Sequence, residues 1–252
     1  MKKILINSML CLAVAAFAAC EKGDDYKAPF VTANPSKALL KINYASAYAL
    51  NPSVQLNIDD ARVSGLITGR TPFPGGGYNT NGSSFPDYLF LEPGTRKVSV
   101  VIPKKGTSTD SIVLFSTQVD LVAGANQSVH ISDTLTRTKA LLVTDDVSLP
   151  ARFKIRYRFV NLIPNSNPLD LYYGPVKVAT GIPYNTPGAV FEMPTSPTDT
   201  FRIREVGSNT VLALYTSASI VSNQRVYTAF AMGYKGATAA ATKPYISFYL
   251  NR

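Results

Sequence analysis

The chain has no tryptophan, a single histidine, His130, and only two cysteines, Cys11 and Cys20. Each shortage narrows the chemistry. Nucleophilic triads and most transition-metal sites need histidine with partners. His130 stands alone between Val129 and Ile131 on a strand-like run, facing away from both. It is expected to be a structural or surface side chain. Without tryptophan, the Cys…Trp…Cys hallmark of antibody-type domains is missing. Sugar recognition by aromatic faces then falls to the 14 tyrosines. Long helical periodicity is also lacking. No Asp-x-Asp-x-Asp loop supports calcium. The run Gly75-Gly76-Gly77 lacks the strand-to-helix setting and the lysine of a phosphate-cradling loop. Acidic residues number 16 against 25 basic ones, a formal net charge of +9, yet no nucleic-acid motif accompanies it. Neither a cofactor nor a metal is expected.

What is present begins at the first residue. Met1-Lys2-Lys3 is basic, and Ile4 to Ala19 is mostly apolar. That stretch is shorter than the roughly 20 residues a comfortable membrane span needs. Basic start, apolar run and small residues before a cut mark a secretory leader. Ala18-Ala19-Cys20 resembles the lipobox of bacterial lipoproteins, with Phe17 where leucine is usual. The resemblance implies cleavage before Cys20 and acylation of that residue. Several acyl chains anchor stably where one is marginal. Glu21-Lys22-Gly23-Asp24-Asp25 is similar to the tether of some surface-displayed lipoproteins. Residues 1–19 are thus read as the leader and 20–37 as a lipidated, extended tether. The protein is expected in the outer membrane, outward-facing, with a periplasm-facing placement as the alternative. Once Cys11 leaves and Cys20 is acylated, no disulfide remains.

The rest reads as all-β. Short alternating runs rich in Val, Ile, Tyr, Phe and Thr are separated by Pro, Gly, Asn and Ser. The runs recur. KINYASAYALNPSVQLNID from Lys41 parallels RYRFVNLIPNSNPLDLYYG from Arg156, so that Tyr44 falls opposite Phe159. Val54, Leu56 and Ile58 fall opposite Leu169, Leu171 and Tyr173, and His130 opposite Tyr227. Closing strands are expected at Lys139–Thr144 and Tyr245–Leu250. Two tandem immunoglobulin-like β-sandwich domains follow, at 38–149 and 150–252, with a boundary near Asp145 to Pro150.

The segments RFVNLIPNSNPLDLYYG, VATGIPYNTPGAV, FRIREVGS and RVYTAFAMG together resemble a bacterial family known as domain of unknown function 4397. The resemblance runs from Phe153 to about Gly233. The first copy reads as a diverged member: Ala45-Ser46-Ala47 replaces Val160-Asn161-Leu162, and its final motif is Val129-His130-Ile131-Ser132. The family implies extracytoplasmic, often anchored, β-rich modules with no established chemistry and no catalytic residues to carry over.

Two features are candidates for ligand binding. The segment Pro72 to Tyr88 is the longest insertion relative to the second copy, and its Gly and Asn content argues against a regular element. Insertions on rigid scaffolds often carry recognition, and Phe73, Tyr78, Phe85 and Tyr88 would supply contacts. The second feature is a cationic stripe, Arg152, Lys154, Arg156 and Arg158, alternating with Phe153, Ile155, Tyr157 and Phe159. Arg202 and Arg204 repeat it, and one basic patch results if the strands share a sheet face. Solvated edge-guarding charge is the plainer account. The acid pairs Asp24-Asp25, Asp59-Asp60 and Asp145-Asp146 make no hydrolytic site by themselves, because neighbours on a strand face opposite ways. The expectation is a noncatalytic binding or assembly module, attached to the membrane through Cys20. Its partner would be an envelope protein or an anionic glycan, not nucleic acid. Glycan capture is the alternative, and a glycoside hydrolase the remote one.

Overall fold

The alternating runs fold as strands in a computed structural model that describes residues 35–80, 85–104, 110–195, 199–216 and 220–252. The leader, Cys20 and most of the tether lie outside the described residues. The first half contains β1 (Ala38–Tyr44), β2 (Gln55–Ile58), β3 (Ala61–Arg62), β4 (Thr71–Phe73) and β5 (Gly77–Tyr78). It continues with β6 (Leu89–Leu91), β7 (Gly94–Pro103), β8 (Asp110–Leu121), β9 (Asn126–Ser132) and β10 (Lys139–Thr144). The second half contains β11 (Lys154–Asn161), β12 (Leu169–Tyr173), β13 (Val176–Ile182) and β14 (Thr186–Pro194). It ends with β15 (Thr200–Glu205), β16 (Val211–Thr216), β17 (Val226–Met232) and β18 (Tyr245–Leu250). The fold is all-β, and its described helix is limited to short 3-10 turns such as Leu135–Arg137.

Each half pairs its strands in the same order. One sheet runs β10-β9-β1-β4, with β6 also on β1, and a second runs β3-β2-β7-β8. Read from the equivalent edge, their counterparts are β18-β17-β11-β14, with β5 added beyond β18, and β13-β12-β15-β16. In both halves the first strand lies parallel to the penultimate one, β1 to β9 and β11 to β17. A parallel pair needs a long crossover, and here the crossing chain forms the opposite sheet. Alternation then fills the gap between sheets. Leu40, Ile42 and Tyr44 of β1 meet Val54, Leu56, Val98 and Val100 in the first core. Ile155, Tyr157 and Phe159 of β11 meet Leu169, Leu171, Phe201 and Ile203 in the second. At the centre of that core the Phe248 ring lies 4.9 Å from Phe201 and 5.4 Å from Tyr215.

Period-two alternation implies that one face of each sheet is wet. The structure departs from that expectation at the two central sheets. Strands β1 and β17 are buried at every position. The second face of β17 packs with the residues that follow β1 in a third cluster formed by Ala45, Ala47, Val160, Leu162, Phe230, Met232 and Tyr249. The four sheets therefore stack as layers, and the described residues form one compact unit. The alternate positions expected to be solvated lie in this seam instead.

The insertion at 72–88 is not wholly irregular, contrary to its composition. β4 pairs with β1, and β5 pairs with β18 of the other half, Tyr78 opposite Phe248 and Gly77 opposite Tyr249. The segment is a strap that extends the second half's sheet with a strand from the first half. Its backbone groups find partners on the edge of β18, an outcome that local turn propensity does not reveal. Gly76 permits the crossing. It has φ 81°, and a Cβ there would meet Lys41 Nζ at 2.7 Å, Phe85 O at 2.9 Å and Leu250 O at 3.0 Å. Gly94 also has a left-handed φ, 102°, but open space around it. Gly76→Ala is expected to cost more than Gly94→Ala, by roughly 1–3 kcal/mol in urea denaturation, from crowding added to left-handed strain. Equal losses would mean that the strap yields freely.

Candidate functional site

The seam is built around a buried cation. Lys41 lies on β1 opposite the core-facing side chains and is fully buried. Its Nζ donates to Leu250 O at 3.1 Å and to Pro74 O at 3.3 Å, joining β18 and the strap. The rings of Tyr88 and Tyr249 lie 4.9 and 5.4 Å away, within cation–π range. Burial lowers the Lys41 pKa to about 8, against the attraction of Asp145 and Asp87. Asp145 in turn accepts from Ser128 Oγ at 2.6 Å and the Tyr88 hydroxyl at 3.0 Å. Its own pKa is raised by burial to about 6. His130 completes the group. Asn43 Nδ2 donates to its Nδ1 at 3.1 Å, and its Nε2 lies 3.3 Å from the Tyr249 hydroxyl. Burial, with Arg158 nearby, pushes the His130 pKa down to about 3. His130 is thus a neutral, structural histidine, and not a surface one. Its positional counterpart by strand pairing is Thr228, not Tyr227. Tyr44 pairs with Ile131 and Phe159 with Ala229, so the inferred match is out by one residue and hence by one sheet face.

The structure distributes the candidate binding residues among separate places. Tyr88 is buried against Asp145 and Lys41, so its ring is no open stacking platform. Tyr78 meets Tyr227 edge-on at 5.7 Å under the second core, and Phe73 packs on the first. Phe85 alone of the four is largely exposed. The basic stripes do not merge, because β11 and β15 belong to different sheets. Their apolar faces meet in the core, so their cationic faces point apart. Arg156 pairs with Asp146 at 3.0 Å and Glu192 at 2.7 Å. Arg158 donates to Thr144 O at 2.8 Å at the junction of the halves. Arg202 donates to Gly174 O at 3.3 Å, and Arg204 stacks on Tyr172 at 4.8 Å. Arg152 lies over the Phe153 ring at 4.7 Å, and Lys154 is half-buried. Asp59 and Asp60 occupy the β2–β3 turn, tied to Arg96 at 3.0 Å and Lys97 at 2.8 Å. Among the described residues no three His, Cys, Asp or Glu side chains group to hold a metal.

A cleft of about 540 Å³ opens where the halves meet, a volume typical of ligand sites. Asn51, Gly69, Arg70, Asn79 and Thr80 line it from the first half; Met232, Ala240, Ala241 and Tyr245 line it from the second. The Arg70 guanidinium stacks on the Tyr245 ring at 4.1 Å. One of its nitrogens donates to Ala240 O, and the Tyr245 hydroxyl donates to Asn79 O. Burial raises the Tyr245 pKa, while Arg70 opposes that shift. Asn51, Arg70 and Asn79 hold φ values of 42°, 71° and 57°, left-handed for residues with a Cβ. Partners hold that geometry in place: Arg70 N donates to Tyr44 O at 3.0 Å and Gly69 N to Asn51 Oδ1 at 3.0 Å. Sequence reasoning reached Asn79 and Thr80 only as part of the insertion. Asn51, Arg70 and Tyr245 carried no signal, since nothing local brings position 70 to position 245.

The seam has a measurable acid response. An unfolded chain protonates His130 near pH 6.5, whereas the folded one resists until about 3. Stability from this residue is therefore lost as pH falls through that window. Asp145 acts oppositely, since the folded state takes up its proton at about 6, above the ordinary 3.8. The His130 window is the wider and extends lower. His130→Asn is expected to lower stability at pH 7 by about 1–3 kcal/mol through lost contacts. It is also expected to flatten the fall in urea midpoint between pH 6.5 and 4 relative to the unsubstituted chain. Parallel profiles would clear His130 of the acid response.

A search of curated proteins finds no match to the chain. The family model described as Domain of unknown function (DUF4397) matches residues 41–172. That range takes in the strands from Lys41 of β1 through β11 and ends within β12. The first half, read from sequence as the diverged copy, therefore carries most of the match; of the Phe153–Gly233 segment only the part as far as Tyr172 falls inside it. With more than half of its length matched, the chain belongs to the DUF4397 family.

Proposed function

We propose that this protein is a lipid-anchored, noncatalytic binding or assembly module of the bacterial cell envelope, displayed outward from the outer membrane. Its two halves would be tandem copies of one immunoglobulin-like sandwich, a reading supported by the recurring strand order and parallel first pairing. The observation that carries the binding role is the cleft at the seam. It opens between two packed cores, with strained backbone and a stacked Arg70 on its walls. Strain held in place by surrounding structure concentrates at ligand sites. The sequence Ala18-Ala19-Cys20 supports the anchor. Glycan capture is the second reading, favoured by the amide-and-arginine lining.

Cys20→Ala is expected to move the protein from the membrane to the soluble envelope fraction, and unchanged membrane recovery would overturn the anchoring. Cross-linking in intact envelopes, followed by pull-down of the full chain, tests the binding role. Specific capture of an envelope protein or polysaccharide is expected, reduced at least tenfold by Ala241→Phe, which fills the cleft. Capture unaffected by that variant would move the binding surface elsewhere.

A further inference from the structure

The charge and hydrogen-bonding capacity of the cleft define a ligand more closely. Arg70 stacks on Tyr245 with one nitrogen engaged by Ala240 O, and among the described residues no carboxylate pairs with it. Other cations of the first half, such as Arg96 and Lys97, do have acid partners. Stacking fixes the plane of the guanidinium and leaves N–H groups in a fork suited to a carboxylate. Asn51 uses its Oδ1 on Gly69 N, which leaves its amide nitrogen to donate. Asn79 uses its Nδ2 on Ile246 O, at 3.0 Å, which leaves its Oδ1 to accept. Donor and acceptor amides beside a cation suit a ligand whose groups both donate and accept, namely hydroxyls, and which also carries a negative charge. Ala240 and Ala241, beside Arg70, add little bulk to the lining.

We propose that this cleft binds an acidic sugar within an oligosaccharide, its carboxylate on Arg70 and its hydroxyls on Asn51 and Asn79. This deepens the binding-module reading and rests on it. The site needs both halves, because Arg70 comes from the first and Tyr245 from the second. Neither of the basic stripes takes part. The same anionic chemistry is offered by uronic acids and by sulfated sugars. The planar fork favours the carboxylate.

The test is calorimetric titration of the detergent-solubilised full chain with oligogalacturonate, a sulfated galactan oligomer and a neutral galactan oligomer. Saturable binding of oligogalacturonate, weakening as salt rises, is expected, with the neutral oligomer at least tenfold weaker. Arg70→Gln and Ala241→Phe are each expected to weaken it at least tenfold while leaving the thermal midpoint within a few degrees. Ala241→Phe obstructs the cleft by bulk and keeps the Arg70 charge, whereas Arg70→Gln removes the charge and keeps the space, so the two variants fail for different reasons. Preference for the sulfated oligomer would keep an anionic-sugar site but overturn the carboxylate assignment. Equal binding of the neutral oligomer, no binding of either acidic oligomer, or binding untouched by both variants would overturn the proposal. An envelope protein whose capture is lost with Ala241→Phe, together with no sugar binding, would leave the binding-module reading standing and remove the sugar.

Discussion

The arrangement depends on one buried ammonium group. Lys41 is placed on β1 by the same alternation that sends Leu40 and Ile42 into the first core. Its face is covered by the second half, so its charge must be compensated inside the protein. Carbonyls of Pro74 and Leu250, the rings of Tyr88 and Tyr249 and the nearby Asp145 do this together. These groups come from the strap, β18 and the segment after β10. A displaced half would strand a desolvated charge, which costs several kcal/mol. Unlike the apolar packing around Phe230 and Met232, this requirement is directional. It selects one register between the halves, where apolar contact alone would tolerate sliding.

The strap follows from the same constraint. Strand β5 lies on β18 in the manner of an added edge strand, with main-chain bonds giving adhesion and alternate side chains giving fit. Its approach to Lys41 is close enough to require glycine at position 76. Covering β18 also removes an exposed edge, a recognised aggregation hazard. Beyond the strap the two halves diverge, and the Gly233–Thr242 loop, rich in small residues, completes the wall of the cleft. The cleft is thus a consequence of how the halves are clamped, and the proposed ligand would meet a preformed surface.

Charge in the seam is balanced rather than absent. Lys41, Asp145 and His130 all have pKa values moved by burial, each toward its neutral form. At neutral pH the histidine is uncharged, while lysine and aspartate offset one another. Hydrogen bonds across the seam add specificity, such as the Tyr234 hydroxyl donating to Asp133 at 2.7 Å. Because the His130 and Asp145 titrations oppose one another, acidification changes the grip between halves gradually.

The sequence alone determined the fold class and most strand positions. Alternation at Lys41–Tyr44 and Arg156–Phe159 fixes which side chains enter each core. The expected strands at 139–144 and 245–250 coincide with β10 and β18. These are local consequences of pleat and turn chemistry. Tertiary structure alone decided what the other faces meet. The alternating pattern of Arg156 and Arg158 looks the same whether water or a second sheet lies beyond it. Tyr88 reads as a loop aromatic until Asp145 and Lys41 surround it. Arg70 and Tyr245 are distant in sequence, and only the docking of the halves brings guanidinium onto ring. Contacts of that kind have no periodic signature, because they depend on how the two halves are oriented and not on the backbone preferences of either strand.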